Sequence, residues 1–407
     1  MTGIGAAAGI SAMKFIQLVL AGAADAPCKA LDGKTPLEVA RTPHLDRWAR
    51  SGRLGTLAVA GNDDVAAASD TGLLQLLGYD PDTHRARRGV FEAMAAGVAL
   101  EPGDLVLRAN FVTLDGEVIA DATAGRLSDG EARVLLADLA RELEPEGFRF
   151  HALSRYRFLV VVKNGAMLDV DTAPPYATTG EPVRSMYPEG KDAHRFAVLL
   201  DRSRRLLAEH EVNRVRVDLG ENPANFLWAW GQGADAALPD FATLHGKKGL
   251  AVAGSALARG VAQKAGFTVA DVPGASGDLE TDLTAKAQAV RAALPEHDFI
   301  FVHVQAPNEA THLRDPRRKV AVLEEIDAKL VRPLTDMVAA LPQARVMVAS
   351  DHVSPSETDR ASPQPTPFVI TGTDIAAVRE WPFDEAHAAK SDLKVDRGAA
   401  LLEFFLR

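Results

Sequence analysis

The run Arg345-Val-Met-Val-Ala-Ser-Asp-His352 ends an apolar stretch on a carboxylate and an imidazole. A short apolar run that stops at turn residues, here Val353-Ser-Pro-Ser356, predicts a buried parallel strand. In open parallel sheets, ligands sit outside the carboxyl ends of the strands. Asp351 and His352 are therefore candidate metal ligands, since both side chains suit Zn or Mn. The alternative is structural: Asp351 caps the following turn and His352 packs. Ser69-Asp70 offers a second chemical group, ahead of Thr71-Gly-Leu-Leu-Gln-Leu-Leu-Gly78. Either residue would cap a helix ending at Gly78. A serine at a helix N-terminus also suits phosphate, because free N–H groups and the helix dipole favour an anion there.

These groups need strands to carry them. Lys14–Leu20 reads as a first strand, ending in the small-residue loop Ala21-Gly-Ala-Ala-Asp25. Leu250–Ala253, His297–Val304 and Pro367–Ile370 read as further strands, and His297–Val304 leads into Gln305-Ala-Pro-Asn-Glu-Ala-Thr-His312. Helices are expected over Ser255–Lys264, Asp282–Leu294 and Lys319–Leu341, with Pro36 and Pro43 at first helical positions. Alternating strand and helix predict an α/β fold with a doubly wound, mostly parallel sheet. Between residues 105 and 239 the pattern changes. Strands at Leu105–Thr113, Phe158–Val162 and Val212–Asp218, with helices at Ser128–Leu143 and Arg195–Glu209, predict an inserted, smaller α+β domain. The larger domain is then discontinuous, 13–104 and 240–407. Thr172–Lys191, rich in Pro, Gly and Thr, reads as an exposed loop.

The 407 residues suffice for two domains with cores of their own. A net charge of −10 argues against nucleic-acid partners. No run of 18 apolar residues predicts a membrane span. The single cysteine, Cys28, rules out an intrachain disulfide and suits a reducing, cytoplasmic setting. Met1–Ala12 lacks a basic start and a long apolar run, so it is read as a tail or a start ahead of Met13, not a signal peptide. No Gly-x-x-x-x-Gly-Lys loop points to a kinase.

Several stretches in order resemble the archaeal-type cofactor-independent phosphoglycerate mutases of the alkaline phosphatase superfamily. They include Leu31-Asp-Gly-Lys-Thr-Pro-Leu-Glu38, Thr42-Pro-His-Leu-Asp46, Ser69-Asp70, Leu76-Leu-Gly-Tyr-Asp80, Arg88-Gly89, Arg108-Ala-Asn-Phe111, Ala124-Gly-Arg126, Asn222-Pro-Ala-Asn225, Val272-Pro-Gly-Ala275, Phe301-Val-His303 and Asp351-His352. The resemblance implies an alkaline-phosphatase-like sheet with an inserted domain. It also implies two divalent ions, Mn or Zn, and a serine that carries the phosphoryl group between neighbouring hydroxyls of phosphoglycerate.

Carried over residue by residue, Ser69 takes the place of that catalytic serine. Asp351 and His352 take places at its metal, and His312 at the other. The remaining positions depart from the pattern. Ala21 stands for the first-strand Asp, Asn308 for the Asp four before His312, and Ala361 for the late His. Leu73 stands where the family often has His, and Asp171-Thr-Ala-Pro-Pro175 where it has Asp-Thr-Asp-Pro-His. Two neighbouring ions need carboxylates to offset their charge. At most one divalent ion, Mn or Zn, is therefore expected, held weakly or not at all. The cations are better kept: Arg88, Arg108, Arg126 and Arg157 match segments of the family's substrate cleft, and Arg259 stands where many relatives have Lys. Guanidinium forks suit carboxylate and phosphate. Arg85, Arg87 and Arg155 read as solvated.

The leading expectation is a diverged mutase-like protein that binds a small phosphorylated or phosphonate-like acid between two domains, its phosphoryl transfer altered or lost. The alternatives are a non-catalytic sensor or scaffold on the same fold, and an active mutase with substitute ligands such as Asp25 or Asp70.

Overall fold

The computed structural model describes residues 13–58, 68–80, 83–84, 88–175, 182–235, 237–358 and 362–407. Met1–Ala12, Arg85, Arg87 and Ala361 lie outside them. Thirteen strands occur among the described residues. They are β1 (Lys14–Leu20), β2 (Arg53–Leu57), β3 (Leu105–Asp115), β4 (Val118–Asp121), β5 (Phe148–Ser154), β6 (Arg157–Val162) and β7 (Phe226–Ala234). The rest are β8 (Gly249–Val252), β9 (Thr268–Val269), β10 (Phe299–Val304), β11 (Ala344–Ala349), β12 (Thr366–Gly372) and β13 (Lys394–Val395). The chain divides into two compact units, Met1–Arg85 with Leu238–Arg407, and Ala86–Ala237.

The first unit is built on an eight-stranded sheet in the order β13-β2-β12-β11-β1-β10-β8-β9. β1 pairs in parallel with both β10 and β11, and β10 with β8. β12 runs antiparallel to β11 and to β2. Alternation along the central strands divides their side chains between two faces. Ile16, Leu18, Ile300, Val302, Val346 and Val348 pack on one face with Leu323, Ile326, Leu330 and Leu334. Phe15 and Phe299 lie on the other, against Phe405, and Phe299 and Phe301 meet Phe241 and Phe267 there. Burial of each such side chain stabilises the unit by about 1.5–3 kcal/mol.

The helix expected over Lys319–Leu341 is not uniform. It forms as Pro316–Ile326, a π-turn over Asp327–Val331, and Arg332–Ala339. Pro333 has no N–H to return to the preceding turn, and the wider turn absorbs that loss. The buried Asp327 side chain accepts the backbone N–H groups of His44 and Leu45 there.

The second unit carries the antiparallel order β4-β3-β6-β5, with β7 on the other edge of β3. The helix Arg88–Ala95 belongs to this unit. Gly89 passes so close to β3 that a Cβ would lie 2.7 Å from the Val106 carbonyl oxygen. The division thus falls ahead of this helix and not after it at residue 104.

Val212–Asp218, expected as a strand, is helical over Glu211–Asp218. Its alternating valines suggest period two, yet Val215 and Val217 are exposed while Asn213 and Arg216 are buried. Polar contacts decide the conformation. His210 Nδ1 accepts the Val212 N–H, Asn213 bonds Leu207 and Ala224, and Arg216 pairs with Glu131 at 2.8 Å. The strands of this unit that the sequence reading left unassigned are β4, β5 and β7, the last a largely apolar run. No helix among the described residues is long and apolar enough to cross a membrane.

Candidate functional site

Three adjacent strands of the first unit, β11, β1 and β10, end together. Their carboxyl ends bring Ala21–Asp25, Asn308–His312 and Ser350–Ser356 into one hydrogen-bonded group. Asp351 is buried, and its Oδ1 accepts from His352 Nδ1 at 2.8 Å and from the Gly22 N–H at 2.8 Å. Burial alone would raise this carboxyl. The charge and hydrogen bond of His352, the nearby His303 and the Gly22 N–H together hold it below its ordinary value. Asp351 Oδ2 faces Ser69 Oγ at 3.5 Å, a long and weak contact. Ser69 and Asp70 lie within the helix Ala68–Leu76.

Asn308 is the hub on the other side. Its Oδ1 lies 3.0 Å from His352 Nε2 and accepts from Ser354 Oγ at 3.2 Å. Its Nδ2 lies 3.2 Å from His312 Nε2. Gly22, at φ 55°, passes so near this hub that a Cβ would stand 2.8 Å from Asn308 Oδ1 and 3.1 Å from His352 Nε2. Only glycine takes that backbone conformation without strain.

Among the described residues, several donors of this group are already engaged with one another. Ala21 is fully buried and contributes a methyl group. The Asn308 amide oxygen and both ring nitrogens of His352 are engaged with one another and with Asp351 and Ser354. Among the described residues no group of three or more His, Cys, Asp or Glu side chains could hold a metal ion. His303, on β10, is 1% exposed, and both its ring nitrogens lack a hydrogen-bond partner. Burial pulls its imidazole down to about 4, with Asp351 opposing and Lys286 and His352 assisting. The sequence reading included Phe301-Val-His303, the loop Ala21–Asp25 and the turn Val353–Ser356, but gave His303, Gly22 and Ser354 no role of their own.

The second unit holds a separate cluster of cations. Arg108 on β3 is 5% exposed, donates from Nε to Asn110 Oδ1 at 3.0 Å and pairs with Glu92 through Nη1. Arg88 lies 3.8 Å from the other Glu92 oxygen, and its guanidinium stacks over Trp230 at 4.9 Å. Arg157 lies over the Tyr156 ring at 4.9 Å. Burial pulls the Arg108 guanidinium below its ordinary value; Glu92 opposes this, and Arg157 and Arg88 add to it. Three guanidinium groups thus share one field in which Glu92 is the carboxylate that pairs with two of them. Trp230, from β7, was missed because β7 itself was.

Arg126 sits on the turn before the helix Asp129–Leu143, at φ 56°, its N–H donating to Thr123 Oγ1 at 3.3 Å. Arg259 belongs to the first unit, where Nη1 donates to the carbonyls of Ala253 and Ala270, each at 3.4 Å. Within the second unit Arg88, Arg108 and Arg157 come together, and Arg259 belongs to the first unit.

Residues 49–213 match the family model described as 2,3-bisphosphoglycerate-independent phosphoglycerate mutase. A protein of that name from Methanothrix thermoacetophila is 35% identical over 97% of this chain and 100% of its own length. A solved structure of a Pyrococcus horikoshii protein aligns with a TM-score of 0.75 at 27% identity, covering 97% of this chain and 96% of that one. A cofactor-independent phosphoglycerate mutase from Thermoplasma acidophilum aligns at 0.57, also at 27% identity, over 97% and 99%.

Proposed function

The chain belongs to the 2,3-bisphosphoglycerate-independent phosphoglycerate mutase family, and from that premise we propose that it binds a small phosphorylated or phosphonate-like acid with phosphoryl transfer altered or lost. The observation that carries the second half is the state of Asn308. The resemblance puts a metal-binding carboxylate there. The amide present is instead bonded by His352, Ser354 and His312. Amide oxygen is a poorer metal donor than carboxylate and does not offset cationic charge. A serine hydroxyl is a weak nucleophile unless a metal or base lowers its pKa.

The first half rests on the arginines. Arg88, Arg108 and Arg157 act on one another in a partly desolvated setting, where guanidinium forks suit phosphate and carboxylate. Arg126, of the same unit, is proposed as a further contact. Inorganic phosphate and 3-phosphoglycerate at millimolar concentration are expected to raise thermal stability. A ligand at 100 times its dissociation constant adds about 2.7 kcal/mol. An unchanged midpoint with both ligands would remove the proposal.

A second reading, an active mutase, is favoured by the identity extending over the whole of a relative that bears that name and by Ser69 still facing Asp351. Turnover decides between the two. A cytoplasmic setting is proposed for either.

A further inference from the structure

Lys319 and Asp25 lie beneath the strand-end network, both side chains completely buried, with Nζ and Oδ2 2.8 Å apart. Lys319 projects from the first turn of the helix Pro316–Ile326. Its ammonium also donates to the Ser354 carbonyl at 2.8 Å and reaches the Ala24 carbonyl at 3.5 Å. The Ser354 carbonyl accepts from Thr311 Oγ1 at 3.3 Å as well. Asp25 in turn accepts the Ser356 N–H at 3.1 Å. One ammonium therefore touches two of the three loops that carry the network, and the third joins them through Thr311.

We propose that Lys319 is a positioning residue: by holding the Ser354 and Ala24 carbonyls against Asp25, it fixes the seat of Asn308, His352 and His312. Its influence passes through Ser354. The carbonyl of that residue is held by Lys319, and its hydroxyl donates to Asn308 Oδ1. Asn308 in turn meets both histidines. Lys319 has no exposed surface, so it acts on the network and not on a ligand. This assignment goes beyond the anion-binding reading and does not depend on it.

A buried ion pair that merely stabilises can be replaced by neutral side chains with little loss, whereas removing one partner strands the other. That difference gives the test. The full chain is labelled with ¹⁵N-histidine, and imidazole signals are compared in wild type, Lys319→Met and the neutral double variant Asp25→Asn/Lys319→Met. His210, in the other unit, serves as the control. The double variant is expected to keep the His210 signal and a near-wild-type midpoint, yet to lose the wild-type positions of the His352 and His312 signals. A folded double variant whose His352 and His312 signals stay in place would overturn the assignment. Failure of both variants to give the native His210 signal would overturn it too, because the pair would then be a requirement for folding and not a device for placement. Phosphate-induced stabilisation of the wild type is measured separately, so loss of one conclusion leaves the other standing.

Discussion

Asn308 Oδ1 lies 3.0 Å from His352 Nε2, so an amide and an imidazole close on each other where the family resemblance places a carboxylate and an imidazole that each hold a metal ion. The amide also meets Ser354 and His312. A metal ion entering here would first have to break those contacts, and Ala21 stands at the sequence position where the resemblance puts another carboxylate.

Restoring the carboxylates should restore metal affinity. The triple variant Ala21→Asp, Asn308→Asp, Ala361→His is expected to bind Mn or Zn more tightly than wild type in calorimetric titration. The wild type should carry less than one equivalent after purification. Equal, weak binding by both would mean that the strand-end residues are matched wrongly.

The sheet and its three strand ends were legible because buried parallel strands announce themselves as apolar runs stopped by turn residues. Asp351, His352, Asn308 and His312 could be placed on that basis before their contacts were known. The helix Glu211–Asp218 was not legible, because Asn213 and Arg216 fix it through partners as remote in sequence as Glu131 and Ala224. Nor was the burial of Lys319. A lysine among Arg317, Arg318 and Glu324 reads as a solvated face until the Asp25 loop packs over it.

Arg108 and Arg88 should respond differently to truncation. Arg108→Ala leaves Glu92 buried beside a lost charge, and breaking such a pair costs about 3–5 kcal/mol. Arg88→Ala gives up a longer contact and a stack on Trp230, worth about 0.5–2 kcal/mol. Denaturant titration separates the two. Both variants should lose the stabilisation by phosphate, and retention of it by either would remove that arginine from the proposed anion site.

Glu385 supplies a pH dependence. Its Oε1 accepts the Asp25 N–H at 2.9 Å and its Oε2 the Thr35 hydroxyl at 2.6 Å. Burial pushes the carboxyl up from 4.5 to about 7, against the pull of those two bonds and of Lys319. The folded state therefore binds this proton more tightly than the unfolded state does. Its contribution is fully present below pH 4.5 and is lost as pH rises through about 7. Glu385→Gln should flatten that decline when unfolding is followed by denaturant from pH 5 to pH 8. An identical slope in wild type and variant would assign the decline to other groups.

The central claim, that phosphoryl transfer is altered or lost, is tested most directly by turnover of 3-phosphoglycerate by the full-length chain with saturating Mn or Zn. A single weakly held ion cannot clamp both oxygens of an in-line displacement. Losing several kcal/mol of transition-state stabilisation costs a factor of about ten for each 1.4 kcal/mol. The predicted result is conversion to 2-phosphoglycerate at the background rate; turnover of about 10 per second, a median enzyme rate, would contradict it.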